Sequence, residues 1–127
     1  MPRKKQTQQL PSQADVDQFE MLRPMLDKLL NEMRELSKKK QDGFLNQLKV
    51  EMINRVLEQV KELLSKEASV QFLDLLDTDK LPTNSDAVLI LSQYDAALSA
   101  FHAKYYGEDW FAYRWFTQEN PKVIEED

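Results

Sequence analysis

Residues 84–116 read NSDAVLILSQYDAALSAFHAKYYGEDWFAYRWF, and the fold class follows from how this stretch is spaced. Ala87, Leu91, Tyr94, Leu98, Phe101 and Tyr105 recur at 4-3-4-3-4 intervals, which keeps all six side chains on one side of a helix. Val88, Ile90 and Ala97 widen that stripe past half the circumference, the pattern of a central helix or of one that also meets a second copy through its apolar face. Thr83 followed by Asp86 has the spacing of a capping box, Pro82 closes whatever precedes it, and Gly107 is placed to stop the helix near Tyr106. Beyond Gly107, Phe111, Tyr113 and Trp115 alternate as a short strand would, although a last helical turn packed back on the domain fits equally well.

Working back from this helix, the first half of the chain carries two more amphipathic segments. Ser12 with Asp15 is a second capping pair, after which Phe19, Leu22, Leu26, Leu29, Met33 and Leu36 form a heptad-like seam widened by Met25 and Leu30. Pro24 interrupts it, so a kink near Met21 or a fresh start at Pro24 is expected. Lys38, Lys39 and Lys40 suit a helix C-terminus, and Gln41, Asp42 and Gly43 supply the break. A second helix is expected over 44–65, with Leu45, Leu48, Met52, Ile53, Val56, Val60, Leu63 and Leu64 on its apolar side and Glu51, Arg55, Glu58 and Lys61 outside. The short connection implies an antiparallel hairpin. Residues 67–79 contain Val70, Phe72, Leu73, Leu75 and Leu76 between acidic residues; they read as a short helix across the hairpin, or as an acidic-hydrophobic peptide for another protein's groove.

The expected architecture is all-α: an antiparallel helical bundle of three long helices plus one short helix, in a single domain over 14–118. Residues 1–13, polar and Gln-rich with two prolines, read as a disordered basic arm, and 119–127 as an acidic tail. A chain of 127 residues is long enough to bury a core without a metal or disulfide.

Composition removes many functions. There is no cysteine, hence no disulfide, thiolate nucleophile or Cys-ligated zinc. Two isolated glycines, Gly43 and Gly107, exclude a Walker loop or dinucleotide fingerprint. His102 is the single histidine and has no Glu three residues before it, so di-iron ligation is missing and neither metal nor cofactor is expected. Asp95, Ser99 and His102 name the members of a hydrolytic triad, but Asp95 and His102 would lie about 10 Å apart along one helix. That is too far for the carboxylate to orient the imidazole. No enzyme is expected. No apolar run is long enough for a bilayer, the first residues lack a secretory signal's apolar core, and a cytoplasmic location without membrane contact is expected.

What remains is the aromatic end. Trp110, Phe111, Tyr113, Arg114, Trp115 and Phe116 combine large apolar bodies, polar handles and a guanidinium able to stack on a ring, the composition of surfaces where proteins meet. The expected function is a small non-catalytic interaction module, an accessory subunit, inhibitor or adaptor, that docks another protein or a second copy. The alternative is a nucleic-acid-associated regulator using Arg3, Lys4, Lys5, Lys38, Lys39 and Lys40, against which stands a net charge of −5.

Overall fold

The computed structural model describes residues 3–5, 9–110 and 112–125. It is mostly helical: β1 (Arg3–Lys5), α1 (Gln13–Lys39), α2 (Gln47–Leu63), a 3-10 turn (Ala68–Phe72), α3 (Asn84–Tyr105), β2 (Tyr106–Glu108), β3 (Tyr113–Trp115) and β4 (Val123–Glu125). Each helix starts at a side chain that satisfies the amide donors its first turn leaves free. Ser12 and Asp15 cap α1 reciprocally, each side chain accepting the other's backbone N–H at 3.0 Å. Asn46 accepts from the Lys49 N–H at 2.8 Å, and Thr83 from the Asp86 N–H at 3.1 Å. Because Asn46 is the cap, α2 begins at Gln47, and Phe44 instead bridges to Thr83.

Contacts between the ends fix the helix directions. Phe19 stacks on Phe101, Arg23 pairs with Asp95, and the Asn84 side chain donates to the Lys40 carbonyl at 2.8 Å, so α1 and α3 run antiparallel. The start of α2 lies beside the start of α3, where the Leu45 N–H donates to the Pro82 carbonyl. At the other end Glu67 meets Lys104 and Tyr105, so α2 and α3 are parallel. Gly43 sits at the crowded corner: its carbonyl accepts from the Asn84 N–H, and a Cβ there would lie 3.1 Å from the Asn84 amide nitrogen.

Two parallel helices in sequence need a return path. A 17-residue helix is about 25 Å long, and an extended chain covers that in roughly eight residues. The segment from Leu73 to Pro82 makes the return, so the expected short helix over 67–79 is replaced by the 3-10 turn followed by an extended strap. The strap is held from both sides. Asn54 of α2 accepts the Leu76 N–H at 2.8 Å and donates to the Leu76 carbonyl at 2.9 Å, while the Tyr94 hydroxyl of α3 donates to the Asp74 carbonyl at 2.8 Å. Leu73 and Leu76 are buried, Phe72 is exposed. At its far end Asp77 folds over the Lys80 and Asp79 N–H groups, whose bonds hold its carboxyl below the usual range.

The six-residue stripe of α3 is the centre of the core, none of it more than 3% exposed. It is covered by α1 and the strap, which accounts for its breadth within one chain. On α1 the buried set is Val16, Phe19, Leu22, Leu26, Leu30 and Met33, and the helix continues through Pro24 without restarting. The termini depart from the expected arm and tail. β1 pairs antiparallel with β4, Arg3 opposite Glu125 and Lys5 opposite Val123. Leu10 is buried, the Gln118 N–H and side chain donate to the Pro11 and Leu10 carbonyls at 2.9 Å, and the Glu119 carboxylate accepts the Gln13 N–H at 3.1 Å. Each terminal segment supplies the polar partners that the other lacks. Of the expected arm and tail, residues 1, 2, 6–8, 126 and 127 lie outside the described residues.

Buried phenols make this fold sensitive to alkali. Desolvation, reinforced by Asp74, raises the Tyr94 pKa; desolvation and the 2.8 Å bond to Glu67 raise that of Tyr105. The unfolded chain then loses these protons first, near pH 10, and binds fewer protons than the folded chain above it. Stability is therefore fully present below pH 10 and falls as pH rises beyond it. Alkaline unfolding followed by circular dichroism should show this, and Tyr94→Phe, though less stable at neutral pH, should lose stability less steeply than wild type above pH 10. An unchanged slope in that variant would contradict the assignment.

Candidate protein-docking site

The aromatic end forms a β-hairpin. α3 leads directly into β2, which pairs antiparallel with β3 in the register Tyr106 opposite Trp115, Gly107 opposite Arg114 and Glu108 opposite Tyr113. The Phe116 N–H donates to the Tyr105 carbonyl at 2.7 Å, fastening the base of the hairpin to the end of the helix. At the tip the Asp109 N–H donates to the Ala112 carbonyl at 3.2 Å, which closes the turn.

The six sequence-derived residues divide by role. Trp115 is the hub of a ring cluster: its centroid lies 5.1 Å from Phe19, 5.2 Å from His102, 5.6 Å from Tyr106 and 6.0 Å from Phe101. Its indole N–H donates to Glu20 at 3.1 Å. Phe116 is buried, with the Arg114 guanidinium 5.1 Å and the Lys122 ammonium 5.4 Å from its ring centre. Arg114 does stack on a ring, but its larger task is to tie segments together. Its Nε and Nη2 donate to Asp109 at 3.0 and 2.5 Å, and further N–H groups donate to the Asn120 carbonyl at 2.7 Å and the Pro121 carbonyl at 3.1 Å. Trp110 and Tyr113 are different: they are 69% and 66% exposed at the tip. Phe111 lies outside the described residues.

No protein-family model, curated protein or solved structure matches this chain. The site is therefore judged on its own chemistry. The Asp95–Ser99–His102 set is not assembled as a triad. Asp95 takes the Arg23 guanidinium at 2.5 Å, and His102 is packed among the Tyr106, Trp115 and Phe19 rings. Ser99 and His102 do line a hollow of about 520 Å³ with Phe19, Glu20, Arg23, Tyr106 and Trp115, but Glu20 and Arg23 there are already engaged by Trp115 and Asp95. Among the described residues no group of three His, Asp or Glu is placed to hold a metal ion, and no helix is long and apolar enough to cross a membrane.

The basic residues are not brought together. Lys38 pairs with Glu35 at 3.2 Å at the C-terminal end of α1, with Lys39 and Lys40 exposed beside it. β1 is paired to a segment anchored through Pro121 and Arg114 at the hairpin end, the opposite end of a helix about 40 Å long. The β1 backbone, Arg3–Lys5, and the three lysines therefore lie at opposite ends of α1.

Sequence reasoning missed Asn54, the strap and one further feature, a groove between α1 and α2. Met21, Met25 and Met52 are 51%, 46% and 53% exposed along it. The signal for the groove was available: Met21 and Met25 lie one turn apart, off the buried seam.

Proposed function

We propose that this protein is a non-catalytic interaction module that docks another protein through the tip of its β2–β3 hairpin. The observation that carries the reading is the exposure of Trp110 and Tyr113 on a turn whose base is immobilised. Trp115 and Phe116 hold the hairpin against α1 and α3 and Arg114 ties it to Asn120 and Pro121, so the two exposed rings lose little freedom on binding. Large amphipathic side chains on a rigid support are the usual anchors of protein interfaces. The placement of β1 and of Lys38, Lys39 and Lys40 at opposite ends of α1 weakens the nucleic-acid alternative.

The test is stoichiometric capture from the native host, with and without nuclease, using the wild type and the Trp110→Ala/Tyr113→Ala variant. Capture should fall at least tenfold in the variant while its thermal midpoint stays within a few degrees of wild type, because exposed substitutions cost little stability. Trp115→Ala is expected to behave oppositely, costing about 2 kcal/mol of stability through loss of the ring cluster. Undiminished capture by the tip variant would end the reading; capture lost on nuclease treatment or at high salt would favour nucleic acid.

A further inference from the structure

We propose that a second copy of this chain docks against the open face of α1 and α2, making a two-fold dimer from two antiparallel helix pairs. The groove on this face encloses about 960 Å³, floored by Leu22, Leu29 and Val56 and flanked by Met21, Met25 and Met52. No residue of α3 or of the strap lines it. Leu48, 65% exposed and one turn before Met52, extends the apolar face outside the groove itself.

Three observations select a second copy over a single helix of another protein. A lone helix laid in the groove would cover its floor and leave Leu48 in water, whereas an opposing pair of helices covers both floor and ridges. The groove carries both signs of charge, Lys28 and Arg55 with Glu58, and Lys28 is already paired with Glu32. A single-sign rim would repel its own copy across a two-fold axis; a mixed one carries no such penalty. Area is the third. The shared length is set by the 17 residues of α2, about 25 Å, and two helices side by side are about 20 Å wide. That footprint is roughly 500 Å² per copy, so about 1,000 Å² in total, at the lower limit of a specific interface. Flexible methionines lower the demand for exact fit between two identical surfaces. A contact of this size falls at the weak end of specific interfaces, so association is sought up to millimolar concentration.

Sedimentation equilibrium of the full chain from about 1 μM to about 1 mM tests this. The weight-average mass should rise from 15.0 kDa towards that of two chains, with little change between low and high salt. Met21→Glu/Met52→Glu should remain at 15.0 kDa throughout, with unchanged helicity, since both positions are half exposed and glutamate is a good helix former. As a second readout, the chain lacks cysteine, so Met52→Cys accepts a single spin label, and face-to-face packing requires a short inter-copy distance. A wild type that stays monomeric at about 1 mM overturns the proposal and leaves the groove to another protein's helix. So does a dimer unaffected by the double substitution, or one whose labels at position 52 lie far apart. Trp110→Ala/Tyr113→Ala should dimerise like wild type, which separates this result from the hairpin-tip reading.

Discussion

Asn54→Leu is expected to destabilise the protein by about 2–4 kcal/mol, although it exchanges a polar residue for an apolar one of similar size in a buried place. Asn54 is 8% exposed and gives the strap both of its bonds at Leu76, one accepted and one donated. Leucine fills the volume but leaves the Leu76 N–H and C=O without partners, and each stranded backbone group costs about 1–3 kcal/mol. The transfer gain of the added methyls, about 1 kcal/mol, does not offset two such groups. Tyr94→Phe loses a single bond from the same strap and is expected to cost about 1 kcal/mol. Urea unfolding of the two variants should rank them in that order. Amide exchange adds a local check: residues 73–77 should lose protection in Asn54→Leu more than α1 or α3 do. A variant within about 0.5 kcal/mol of wild type would mean that the strap is not held by Asn54.

Asn54 also marks where the sequence stops being legible. The three helices are local facts: the α3 stripe repeats on its own period, and Ser12 and Thr83 cap helices whose first turns lie next to them in the chain. The strap is not local. Leu73 and Leu76 are spaced as they would be on one helical turn, and what draws the backbone out is hydrogen bonding from Asn54 and Tyr94, about twenty residues before and after it. Nothing within 67–79 announces those partners. The hairpin was half legible. Phe111, Tyr113 and Trp115 alternate, but the opposing strand begins at Tyr106, where the helical stripe of α3 has only just ended, so the apolar pattern of one element runs into the next. The terminal segments were missed for the same reason as the strap: Leu10 and Pro11 acquire their polar partners from Gln118, more than a hundred residues away. At the aromatic end, residue type did not give the division of labour, because a tryptophan at 110 and one at 115 look alike until the fold packs the second against Phe19.

Arg114→Ala is the substitution expected to do most damage, about 3–5 kcal/mol, because it removes the guanidinium that pairs with the buried Asp109 carboxylate. Asp109 has 1% of its side chain exposed and Arg114 21%, so water cannot easily replace the guanidinium. The same change removes the donors to the Asn120 and Pro121 carbonyls and thereby loosens the segment that leads into β4. Lysine should not rescue it. A single ammonium on a flexible stem can meet the carboxylate but cannot also span two carbonyls in the planar fork that Arg114 uses. Two comparisons isolate the cause. If loss of the ion pair dominates, Arg114→Ala/Asp109→Ala should be more stable than Arg114→Ala alone, a non-additivity that unfolding of the four species in a double-mutant cycle measures directly. If instead the lost carbonyl bonds dominate, the double variant will be no better than the single one and Arg114→Lys will recover little. Either way the tip should suffer, since Trp110 follows Asp109 immediately: partner capture is expected to fall in Arg114→Ala under conditions where the domain is still folded. Wild-type stability and capture in that variant would mean that the guanidinium neither neutralises Asp109 nor holds the hairpin, and the rigid support on which the docking reading depends would be gone.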